Sequence, residues 1–83
     1  MDRSIRKALL KKLYKKRIIG GKHTSIDNLP KGFPRNLHNE IMIVTNELIK
    51  EGIIIKKPTS YGLHVSLNPR MIEKIEEEIG DSS

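Results

Sequence analysis

Arg35, Asn36, Asn39 and Asn46 fall on one side of a helix, with Ile43 among them, when the chain is wound at about 100° per residue. An arginine fork matches the paired acceptors of guanine. An asparagine amide matches the adenine edge, and an aliphatic side chain can meet the thymine methyl. Asparagine is a weak helix former, worse than alanine by roughly half a kcal/mol. Three on one face exceed what a merely solvated helix needs. A second set is cationic: Arg3, Lys7, Lys11 and Lys15 repeat every four residues, and Lys12 and Lys16 add a like-charged pair. Each such pair costs a helix a few tenths of a kcal/mol. A row of this kind suits the phosphates of a polyanion.

Other chemistries are poorly supplied. His23, His38 and His64 lack a metal-ligand spacing, and the chain has no Cys, so no metal site or thiolate chemistry is expected. Glu73, Glu76, Glu77 and Glu78 crowd the tail, but a general acid and base need a pocket, and none is implied. Gly20-Gly21-Lys22 lacks the rest of a phosphate-binding loop. No enzyme activity, no cofactor and no small-molecule ligand are expected.

The chain has 83 residues, with 16 Lys+Arg against 10 Asp+Glu and a formal charge of +6. That is the size of one small domain. Residues 1–22 carry nine basic groups and one acidic one, residues 58–69 carry none, and residues 70–83 carry two basic and five acidic. A composition rich in Lys and Ile fits genome bias or a thermophilic host, but bias does not explain the acidic tail. Aromatic residues are limited to Tyr14, Phe33 and Tyr61, few for a single-strand stacking platform. No apolar run approaches the ~20 residues of a membrane span, and no secretory leader is visible. A cytoplasmic protein with no membrane partner is expected, nucleoid-associated if it binds DNA.

Hydrophobic spacing supplies the elements. Ile5, Leu9 and Leu13 predict a helix over 3–18, stopped at Gly20-Gly21. Residues 22–25 can extend, and Ser25 can cap a very short helix over 26–29. Pro30, Gly32 and Pro34 make a rigid turn, with Phe33 as a core plug. Leu37, Ile41, Val44 and Leu48 predict a helix over 35–51, with Gly52 as its terminator. Ile53–Lys57 and Leu63–Leu67 predict a hairpin joined through the five residues 58–62, the second strand having one buried face. Asn68-Pro69 opens a last helix reaching residue 79. Its Ile72, Ile75 and Ile79 suit a neighbouring helix in the same chain or in a second copy, so a homodimer through this helix is one expectation.

This order of elements resembles the winged helix-turn-helix superfamily over roughly residues 3–68. The segment Leu48-Ile49-Lys50-Glu51-Gly52-Ile53-Ile54 looks like the passage from recognition helix to wing in such domains. Lys57 to Pro69, with Lys31-Gly32-Phe33-Pro34-Arg35, is similar to small uncharacterised winged-helix proteins of archaea. The resemblance implies an α+β fold in a single domain over 1–83: a three-helix core, a two-stranded wing hairpin and an added C-terminal helix over 69–79. It implies double-stranded DNA as partner, with the 35–51 helix in the major groove and the 58–62 loop on adjacent backbone. Arg35, Asn36, Asn39, Ile43 and Asn46 would then meet bases. Arg3, Lys7, Lys11, Lys15, Lys31, His38, Lys50, Lys56, Lys57 and Tyr61 would meet the sugar–phosphate backbone. A transcriptional regulator or chromatin-associated factor is implied. The loop is uncharged, and the strongest charge sits on the first helix, which in such folds supports the recognition helix from behind. That helix could instead face flanking phosphates, a second duplex, RNA or an acidic protein. A protein-interaction subunit of a larger nucleic-acid-processing assembly and an RNA binder are the alternative functions.

Overall fold

The computed structural model describes residues 3–80. The fold is α+β: three α-helices and a three-stranded antiparallel sheet. Helix α1 spans Arg3–Lys15, strand β1 Thr24–Ser25, helix α2 His38–Lys50, strands β2 Ile54–Thr59 and β3 Gly62–Leu67, and helix α3 Ile72–Ile79. The strand order is β1-β3-β2, with β3 central. The expected extended segment at 22–25 thus becomes a third strand, pairing Thr24 with Val65 and Ser25 with His64.

One hydrophobic cluster holds the layers together. It takes Ile5, Leu9, Leu10 and Leu13 from α1, Ile41, Val44 and Leu48 from α2, Ile54, Val65 and Leu67 from the sheet, and Ile75 and Ile79 from α3. Phe33 is half-buried and packs against this cluster, as a core plug would. Thr45 is fully buried, and its hydroxyl donates to the Ile41 carbonyl at 2.7 Å. That bond satisfies a polar group that would otherwise be costly to bury.

Helix α1 stops earlier than expected, and not at the glycine pair. Arg17 adopts the left-handed region at φ 55°. The Arg17 N–H donates to Tyr14 O at 3.0 Å, and the Ile18 N–H reaches back to Leu13 O at 3.0 Å. This pair of bonds closes a helix and brings a following apolar residue onto its last turn; here that residue is Ile18, which is buried. Helix α2 ends the same way at Gly52, at φ 78°, with Gly52 N–H on Ile49 O and Ile53 N–H on Leu48 O.

Other boundaries shift for local reasons. Ser25 accepts from the Asp27 N–H at 3.3 Å, and the short helix after it is a 3-10 turn over Ile26–Asn28. Arg35–Leu37 is a separate 3-10 turn leading into α2, so the predicted 35–51 helix becomes α-helical only from His38. Asn68 caps a 3-10 turn over Pro69–Met71 before α3, and its side-chain amide donates to Gly52 O at 2.9 Å. The five-residue connection is replaced by a two-residue turn, Ser60–Tyr61, because Thr59 pairs directly with Gly62. The Thr59 hydroxyl ties this turn, accepting from the Tyr61 N–H at 3.1 Å and donating to Gly62 O at 2.8 Å. Pro58 is tolerated inside β2 because β2 is an edge strand.

The second strand of the hairpin is covered on both faces at its end: Val65, Ser66 and Leu67 are all buried. The segment after α1 supplies the cover. Leu67 exchanges backbone hydrogen bonds with Ile18 and Gly20, and the Gly20 carbonyl accepts from the Ser66 hydroxyl at 3.1 Å and from the Lys57 ammonium. The apolar stripe of α3 is spent within the protomer. Ile75 and Ile79 are buried in the shared cluster and Ile72 packs on it, so this stripe is not offered to a second copy.

Candidate nucleic-acid interface

The predicted base-reading set comes together. Ile41, Val44, Thr45 and Leu48 bury one face of α2. The opposite face therefore presents Asn39, Ile43, Asn46 and Lys50, all exposed. Arg35 and Asn36 are exposed on the 3-10 turn at the same end. Ile43 is 45% exposed between these amides and is one of two large apolar residues left in the open among the described residues. The other is Tyr61, 90% exposed at the hairpin turn.

The predicted backbone-contact set divides. Lys31, Lys50 and Lys56 are exposed. His38 is engaged locally: its Nε2 lies 3.1 Å from Phe33 O, an interaction that fastens the start of α2 to the preceding turn. Lys57 is only partly exposed, and its ammonium is committed to Gly20 O. Neither is poised for phosphate. The tight hairpin turn also removes the flexible loop that the five-residue connection implied. Lys7, Lys11 and Lys15 are exposed along α1. Arg3 is the first residue of α1, and its side chain lies outside the described ones.

Two α1 cations outside the predicted contact sets turn inward. Arg6 joins all three helices. Its Nη atoms donate to both Glu51 oxygens, at 2.6 and 2.9 Å, while Nε donates to Glu78 and Nη2 reaches the same carboxylate at 3.2 Å. Its hydrogen bonds to Glu51, then to Glu78, hold this guanidinium above the ordinary arginine value. Lys12 donates to Asn28 O and Leu29 O, both at 3.1 Å, and also to Lys31 O. Its ammonium lies 5.4 Å from the Phe33 ring centre, within reach of a cation–π attraction. Burial pushes the Lys12 ammonium below the ordinary lysine range, and Lys16 and Lys31 add to that. No helical periodicity could have separated these two cations from their neighbours, because their partners are remote in sequence.

Histidines that are far apart in the chain also meet. His23 and His64 place their Nδ1 atoms 2.9 Å apart, with ring centres 4.9 Å apart and nearly perpendicular. One ring donates to the other, pinning the segment before β1 onto β3. Among the described residues, no group of three or more His, Cys, Asp or Glu is arranged to hold a metal. Glu73, Glu77 and Glu78 line an open groove along α3, shared with Arg70, Met71 and Lys74. Cations and carboxylates alternate along it, and Glu78 is already paired with Arg6. No described helix is long and apolar enough to cross a membrane.

The exposed face of α2 and the 3-10 turn before it combine one guanidinium, three amides and an aliphatic side chain, with lysines at their borders. Such a face can hydrogen-bond to base edges and meet phosphates around them. Comparison with known proteins adds no further constraint: no family model, no curated protein and no solved structure matches this chain.

Proposed function

We propose that the protein is a winged helix-turn-helix module that binds double-stranded DNA through the outer face of α2, as a transcriptional regulator or chromatin-associated factor. The order helix, strand, short helix, helix, hairpin supports this reading. The observation that carries it is the exposed stripe of Arg35, Asn36, Asn39, Ile43 and Asn46. Arg35 and the asparagines read base edges, Ile43 meets a thymine methyl, and Lys31, Lys50 and Lys56 stand against phosphates. Tyr61 at the hairpin turn touches the neighbouring backbone.

Fluorescence anisotropy with a random duplex at several salt concentrations tests this reading. Four cations on or beside the face, Arg35 included, predict a log–log slope of about −3.6. A slope near zero overturns the reading. Sequence selection on the full chain should return a preferred site. Arg35→Ala should weaken that site by about 1–3 kcal/mol more than it weakens random duplex, whose salt slope should fall by about 0.9. The exposure of Ile43 and Tyr61 favours a second reading, in which the same face docks a protein partner. Duplex affinity unchanged by Arg35→Ala and Asn39→Ala together would select it.

A further inference from the structure

The cations of α1 form two populations. Arg6 and Lys12 are turned inward and bound, as described above. Lys7, Lys11 and Lys15 are exposed, and their side chains make no hydrogen bond or ion pair to another described residue. They follow one another at i, i+4 spacing, where like charges repel and weaken the helix. Arg17 extends this row just past the end of α1, exposed and in the left-handed backbone region at φ 55°. Glycine is the usual residue at this point of a helix terminator, and any side chain there is strained. Among the described residues Arg17 is the one non-glycine with positive φ. A strained exposed cation at the end of a self-repelling row gains nothing for the fold, and strain retained at one position points to a role outside folding.

Ile5, Leu9 and Leu13 of α1 and Ile41, Thr45 and Leu48 of α2 are buried. Each exposed row lies on the side of its own helix turned from that interior, so the two rows are carried by faces of different helices.

We propose that Lys7, Lys11, Lys15 and Arg17 form a second phosphate-binding face, and that one molecule holds two DNA duplexes at once. This rests on the α2 reading and adds to it a bridging role. The two faces differ in kind. The α1 row has no amide and no apolar side chain suited to base edges, so it takes any duplex, by charge alone.

A two-step capture experiment with the full chain tests the proposal. A duplex is fixed to beads and loaded with protein, the excess is washed away, and a labelled random duplex is added. Wild type should retain the label, and retention should fall with salt. The variant Lys11→Gln/Lys15→Gln/Arg17→Gly should load onto the beads within about threefold of wild type. Its retention of label should drop at least tenfold, and the salt slope of capture should flatten by about 2.7 for three charges removed. Wild type that fails to load at all overturns both the α2 reading and the α1 face. Wild type that loads but retains no label, while the variant also loads, overturns the bridging proposal alone. So does a variant that still captures, since bridging would then run through another surface. Equal losses in both steps would make the two rows one site. Retention of structured RNA in strong preference to duplex DNA, at matched phosphate concentration, would assign the α1 face to RNA instead.

Discussion

Helices α1 and α2 have the same length, 13 residues, bury one stripe each in the same cluster, and close with the same pair of backbone hydrogen bonds. What faces outward differs completely. Helix α1 shows lysines, and α2 shows asparagines, an isoleucine, Glu40 in its first turn and a single lysine near its end. Charge and hydrogen-bonding specificity are therefore housed on separate helices of one fold. A net charge of +6 says nothing about this division. The interior half of each helix is interchangeable in chemistry, and the exterior half carries what is particular to it.

The largest test of that symmetry is in the core. Leu9 and Leu48 are both fully buried, so Leu9→Ala and Leu48→Ala should each cost about 2–5 kcal/mol, measured by urea denaturation. Similar losses would confirm that the two helices are equally integral. A small loss for Leu9 alone would mean that α1 is an appendage, and would break the comparison. The next effect belongs only to α1. Arg6→Ala removes its ties to α2 and α3 and should cost about 1–2 kcal/mol, lowering the melting temperature by several degrees in a domain of this size. Arg6→Lys should recover less than half of that, because one ammonium cannot fork to two carboxylates. The smallest effect lies at the helix ends and has opposite signs. Arg17→Gly should stabilise by about 1 kcal/mol, and Gly52→Ala should destabilise by about as much. If Arg17→Gly is neutral, the backbone there is not strained, and one support for the second DNA face is lost.

The apolar stripes, the hairpin and the caps at Ser25 and Asn68 were legible because each depends on neighbours within a few residues. The stripe of α2 in particular fixed which side chains stay outside, and all five predicted base-facing residues are exposed. The errors share a different origin. The end of α1 depends on an arginine accepting a conformation that composition assigns to glycine. The fates of Arg6, Lys57 and His64 are set by Glu78, Gly20 and His23, which are 72, 37 and 41 residues away. A lysine reads the same in sequence whether it meets a carbonyl or solvent. Of ten predicted backbone-facing residues, Lys57 is turned to Gly20 O for that reason, whereas His38 meets Phe33 O only five residues away.

The Arg6 junction has a consequence in time as well as in space. It joins residues 72 positions apart, whereas the hairpin closes over a two-residue turn. Closing a loop costs entropy that grows with the logarithm of its length, so contacts of small separation form early and contacts of large separation form late. The hairpin, and α2 against it, can organise while α1 and α3 are still searching for each other. Helices α1 and α3 then lock as one event, because each supplies the other's Arg6–Glu78 partner and packs on the same cluster. Opening should run in reverse. Loosening α3 removes one of the two carboxylates that hold Arg6, while Glu51 still holds it at the end of α2.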